Sequence, residues 1–91
     1  ENDLSDFALF KVYPNPFNPI TNIKFSTSNN SSLKIFVYDI KGKQIYSFVE
    51  NKQTIGPQSF QINGSEWESG IYFLELKKGG NRLVKKIMLI K

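Results

Sequence analysis

Three prolines fall within six positions of the run Tyr13-Pro14-Asn15-Pro16-Phe17-Asn18-Pro19. Each fixes its own φ, removes a backbone donor, and pushes the preceding residue, here Tyr13, Asn15 or Asn18, toward an extended conformation. Helix is excluded, and a stiff corner between extended stretches is expected. The Asn15 and Asn18 amides are suited to bond nearby backbone groups in place of the ladder bonds that proline forbids. Phe17, an apolar ring among polar neighbours, is expected to cap one end of a core.

The rest of the 91-residue chain agrees with that corner. No window repeats apolar residues at helical spacing without interruption by Gly, Pro or Asn-Ser clusters. Seven β-rich runs appear instead, at 7–13, 20–27, 32–40, 43–50, 58–63, 70–77 and 82–90, each bounded by turn residues. The expected fold is all-β, a seven-stranded immunoglobulin-like antiparallel β-sandwich over residues 7–91. Alternation assigns the faces: Ile23 and Phe25 inward, Leu33, Ile35 and Val37 on one aliphatic face, and Tyr72, Leu74 and Leu76 in the core opposite Ile71 and Phe73. Phe36 and Tyr38 then need cover of their own. The last run carries a lysine on each face, which either a bulge near Lys85-Lys86 or an edge position would accommodate. Asp39-Ile40-Lys41-Gly42 reads as a type I turn with Gly42 left-handed, and Lys78-Gly79-Gly80-Asn81 as a second tight hairpin. Ser26 to Ser32 and Asn63 to Ser69 read as longer polar loops.

Composition narrows the chemistry. Histidine and cysteine are both absent, which removes the commonest general base, the usual zinc ligands, thiol nucleophiles and disulfides. The acids are scattered, so neither a metal nor a cofactor is expected. Glu66 and Glu68 flank the single tryptophan, Trp67. That trio fits either a sugar-stacking platform or a ring that partly covers the core. A glycosidase carboxylate pair would need a deep cleft, for which a sandwich this small has little room. No enzymatic function is expected. From Leu76 to Lys91 there are six basic residues and no acid. Such a run neutralises anionic partners or guards a sheet edge against aggregation. The opening Glu1-Asn2-Asp3-Leu4-Ser5-Asp6 has no basic n-region or apolar h-region, and residues 1–6 are expected to be an acidic linker from an upstream part of a longer polypeptide.

Four blocks in order resemble the C-terminal sorting domain of type IX secretion cargo proteins of Bacteroidetes. They are Tyr13-Pro14-Asn15-Pro16-Phe17-Asn18-Pro19 followed by Thr21, Ile23 and Phe25; Val37-Tyr38-Asp39-Ile40-Lys41-Gly42-Lys43; Ser69-Gly70-Ile71-Tyr72-Phe73; and Lys85-Lys86-Ile87-Met88-Leu89-Ile90-Lys91. An immunoglobulin-like domain of the flagellar hook-capping protein shares the first and third blocks, while the closing basic-aliphatic block favours the sorting domain. Ile62-Asn63 departs from the Trp-Asp pair of many members, and Trp67 stands where a smaller residue is common.

The resemblance implies a secretion address. The cargo reaches the periplasm by its own signal, the domain is recognised by the outer-membrane translocon, and a sortase-like peptidase then removes it. The mature cargo is released or joined to anionic lipopolysaccharide at the cell surface. Recognition is expected at Lys85, Lys86, Ile87, Met88, Leu89, Ile90 and Lys91. Pro14, Asn15, Pro16, Phe17, Asp39, Gly42, Gly70, Ile71 and Tyr72 carry the family motif. Nucleic acid is not an expected partner. The reading from another class is an adhesion or carbohydrate-binding accessory module.

Overall fold

A computed structural model describes residues 9–27, 32–50 and 56–91. The expected linker at 1–6, the first two residues of the first expected strand, and the tip of the Ser26 to Ser32 loop lie outside the described residues. Seven strands are described: β1 (Leu9–Tyr13), β2 (Ile20–Thr27), β3 (Leu33–Tyr38), β4 (Gln44–Glu50), β5 (Gly56–Asn63), β6 (Gly70–Lys78) and β7 (Asn81–Leu89). They form two antiparallel sheets, in the orders β1-β2-β5 and β4-β3-β6-β7. This is the expected all-β, immunoglobulin-like sandwich.

Period-two alternation turns one face of each sheet inward. Ile23 and Phe25 of β2, Leu33, Ile35 and Val37 of β3, Ile62 of β5, Tyr72, Leu74 and Leu76 of β6, and Ile87 and Leu89 of β7 make up most of the buried core. Phe17 closes one end, 1% exposed, as its isolated apolar character predicts. Trp67 is half-buried, its ring centroid 5.2 Å from that of Tyr72 and 6.4 Å from that of Tyr46. Its faces are spent on core cover.

Two irregularities fall elsewhere than the sequence predicts. The register between β6 and β7 runs unbroken from Gly70↔Leu89 to Lys78↔Asn81, so no bulge interrupts Lys85-Lys86. β7 tolerates lysine on both faces because it is an edge strand. The register shift lies instead between Val37 and Tyr38, where β3 meets β4. Lys78, expected in a turn, ends β6 on its inward face and is fully buried.

Candidate recognition surface on the last strand

Backbone groups of an antiparallel strand face its two neighbours alternately. Met88 points away from β6: its N–H donates to Asn15 Oδ1 (3.0 Å), and its carbonyl accepts from Phe17 N–H (2.9 Å). Ile90 N–H donates to the Phe17 carbonyl (2.9 Å), and Asn15 Nδ2 donates to the Lys86 carbonyl (3.2 Å). The proline corner therefore lies along the outer edge of β7. Phe17 forms a one-residue parallel bridge to Leu89, and the Asn15 carboxamide takes the place of a peptide unit. Asn15 does bond backbone, as expected of the corner, but the backbone of a strand more than seventy residues away. Thr21, fully buried, ties the corner back to β2 by donating to the Pro14 carbonyl (2.7 Å).

The third block packs on the other side of the same segment, with Gly70 opposite Leu89, Ile71 opposite Met88 and Tyr72 opposite Ile87. Gly70 adopts φ +154°, a conformation that side chains disfavour. Tyr72 is buried, and its hydroxyl donates to the Glu68 carbonyl, the tyrosine-corner arrangement of sandwich domains. Burial, reinforced by the negative charges of Glu68 and Asp39, raises its pKa against the opposing backbone bond. The second block closes the β3–β4 hairpin: Asp39 Oδ1 accepts from Lys41 N–H and Lys43 N–H (2.9 Å each), and Gly42 takes φ +86°. All four motif blocks thus meet at one end of the sandwich, and three of them share the end of β7.

The closing block divides. Ile87 and Leu89 are each 1% exposed and belong to the core. Lys85, Lys86, Met88, Ile90 and Lys91 are on the surface. Lys91 is tied to the loop after β5: its Nζ donates to the Ser65 carbonyl (2.7 Å) and its N–H to Ser69 Oγ (3.0 Å).

A cluster that takes only Tyr38 from the motif blocks covers part of the outer face of the four-stranded sheet. Glu75 lies there, 5% exposed, accepting from Tyr38 Oη (3.0 Å) and forming an ion pair with Arg82. Burial alone would raise its pKa, but the bonds from Arg82 and Tyr38 and the nearby charges of Arg82 and Lys77 outweigh it and hold the carboxyl below its ordinary range. Lys34, Lys77 and Arg82 sit directly opposite one another across β3, β6 and β7, with Lys77 Nζ 5.8 Å from the Phe36 ring centroid. These residues are the cover that Phe36 and Tyr38 required. Alternation sets Glu75 on the same face as Ile71 and Phe73, and only the register shows what covers it.

Among the described residues no three acids gather as a metal site. A search of curated proteins gives no significant match. Among solved structures, the chain is similar to dimeric latent PorU from Porphyromonas gingivalis, at 14% identity and a TM-score of 0.67, over 89% of this chain and 9% of that one. The likeness is one of fold, and the chain spans under a tenth of that protein's length. The family model for the secretion system C-terminal sorting domain matches residues 11–91. The chain belongs to that family, the type IX sorting domains that its four blocks resemble, whose members direct the protein carrying them across the outer membrane to the cell surface or the medium.

Proposed function

We propose that the domain is read by the outer-membrane translocon as a folded body, through the exposed part of its closing block, and performs no chemistry itself. Lys85, Lys86, Met88, Ile90 and Lys91 are the contact residues in this reading, while Ile87 and Leu89 keep the surface in shape from beneath. The observation that carries it is the convergence of three motif blocks on one segment: the proline corner and the start of β6 grip the end of β7 from both sides. A rigid frame around a short exposed strip suits a signal that must be recognised in the folded state. Removal of the domain by a sortase-like peptidase, and attachment of the mature cargo to anionic lipopolysaccharide, complete the route.

The test is a reporter with a periplasmic signal fused to this domain, expressed in a host with and without the translocon. Delivery to the medium or surface only with the translocon is the expected result. Equal delivery in both hosts, or retention in the periplasm of both, refutes the reading. Truncating the tail is a poor test, since removing 87–91 takes Ile87 and Leu89 out of the core and unfolds the address. Charge reversal at Lys85 and Lys86 leaves the core intact and is the sharper variant.

A further inference from the structure

We propose that the open stretch of the β7 edge, Arg82 to Lys86, takes up an extended acidic segment of a partner protein as an added strand. This rests on the sorting reading and names the partner's chemistry and its mode of docking.

The alternation set by Met88 makes every even residue of β7 face outward, because the register with β6 is unbroken. Asn15 and Phe17 occupy the edge from the Lys86 carbonyl to Ile90 N–H. Above that point the N–H and carbonyl of Arg82, both groups of Val84, and the Lys86 N–H have no partner among the described residues. Five aligned backbone groups are enough to seat a short strand, with main-chain bonds supplying affinity and alternate side chains specificity.

The side chains select the occupant. Arg82, Lys85 and Lys86 line the edge, and Val84, 48% exposed, lies between them. Across β3, β6 and β7 the single acid is Glu75, already engaged by Arg82 and Tyr38. Lys34 and Lys77 extend the positive field behind the edge. A second copy of this chain is a poor occupant: antiparallel pairing centred on Val84 sets Arg82 against Lys86 of the other copy, and like charges directly opposite are destabilising. The same cations that refuse self-pairing attract carboxylates and steer an acidic strand inward. The opposite edge of that sheet, β4, carries no cation, so it shares the open backbone but not the charge. A fitting segment, added parallel to β7 as Phe17 is to Leu89, places acids opposite Arg82, Lys85 and Lys86, and apolar residues opposite Leu83 and Val84.

The experiment is a ¹⁵N chemical-shift titration of the 91-residue chain. Its probes are the peptide acetyl-Thr-Glu-Leu-Val-Glu-Glu-Thr-amide and the same peptide with lysine at its three glutamates. The acidic peptide is expected to shift the Arg82, Val84 and Lys86 amides and to protect Val84 N–H from exchange, while the basic peptide leaves the spectrum unchanged. Val84→Pro removes an outward N–H and no bond to β6, and should weaken binding by about tenfold, the worth of roughly one hydrogen bond. Lys85→Glu with Lys86→Glu should do at least as much without touching the backbone, which keeps the test decisive if the proline variant does not fold. Absence of shifts at millimolar peptide, shifts confined to β4, or binding indifferent to both variants overturns the proposal. In the reporter assay, native delivery that folded Val84→Pro matches also overturns it while leaving the sorting reading intact. Failure of the native domain to deliver strikes the sorting reading instead, and the titration still decides the edge.

Discussion

The two halves of the last strand are built to opposite ends. From Ile87 to Ile90 the side chains alternate into the core, and the outward backbone is bonded to the proline corner. From Arg82 to Lys86 the side chains are mostly charged, and the outward backbone has no partner among the described residues until the Lys86 carbonyl, which accepts from Asn15. A motif that reads as one basic-aliphatic unit is therefore two: an aliphatic half whose Ile87 and Leu89 belong to the core, and a basic half whose side chains are exposed. The difference also explains why the proline corner stops where it does. Asn15 bonds the Lys86 carbonyl and Phe17 the groups beyond it, which protects the apolar half and leaves the cations to guard the remainder.

Substitutions should separate the halves, with the largest effect in the buried one. Leu89→Ala removes a side chain 1% exposed from the junction of β6, β7 and Phe17, and should cost about 2–5 kcal/mol. In a domain of this size that lowers the melting temperature by roughly 4–8 °C per kcal/mol. Val84→Ala, five residues away on the outer face, should stay within about 0.5 kcal/mol. Equal losses at the two positions would erase the distinction.

Glu75 comes next and tests the ground beneath the basic half. Replacing it with Gln at neutral pH should cost about 1–2 kcal/mol, the low end for hydrogen bonds to a charged group, because its partner Arg82 is 63% exposed. Its folded pKa is depressed, so its contribution is present above the ordinary carboxylate value and is lost as pH falls through the depressed one. The gap between native and Glu75→Gln stability in urea unfolding should therefore close in acid. A gap that persists unchanged at low pH would mean that the carboxylate charge is not what Arg82 and Tyr38 hold.

How much of this was legible depended on sequence separation. The β3–β4 turn is local: Asp39 bonds groups two and four residues on, and Gly42 supplies the positive φ, so four adjacent residues suffice to read it. The inward faces of β2, β3 and β6 follow from alternation alone. Phe17 was recognisable as a cap from its isolation, but not its backbone bridge to Leu89, because nothing local in Pro16-Phe17-Asn18 specifies a partner at the far end of the chain. Lys78, expected in a turn, is fully buried at the end of β6, and the burial of Glu75 is likewise set across the sheet, by Tyr38 and Arg82. The motif residues of the site were therefore readable individually, while the seam that they form required register.

That seam supplies the third prediction. Asn15→Ala deletes a bond to the Lys86 carbonyl and one from Met88 N–H, both near solvent, and should cost about 1 kcal/mol. Its more specific signature is faster hydrogen exchange at the Met88 amide, with the Ile87 and Leu89 amides, which face β6, little changed. Uniform acceleration along β7 would show that the corner supports the whole strand rather than its outer edge.

The smallest effect on stability belongs to the residues with the largest proposed part in recognition. Lys85→Glu with Lys86→Glu should shift unfolding by no more than about 0.5 kcal/mol, since both side chains are exposed and neither has an ion-pair partner among the described residues. Delivery of a fused reporter should nevertheless fall. An unfolded variant would lose delivery for a trivial reason, and the contrast with Leu89→Ala is what gives the measurement force: one variant disables the address by dissolving it, the other by rewriting an intact surface. Should the charge reversal prove neutral for both stability and delivery, the basic half would be an aggregation guard and nothing more.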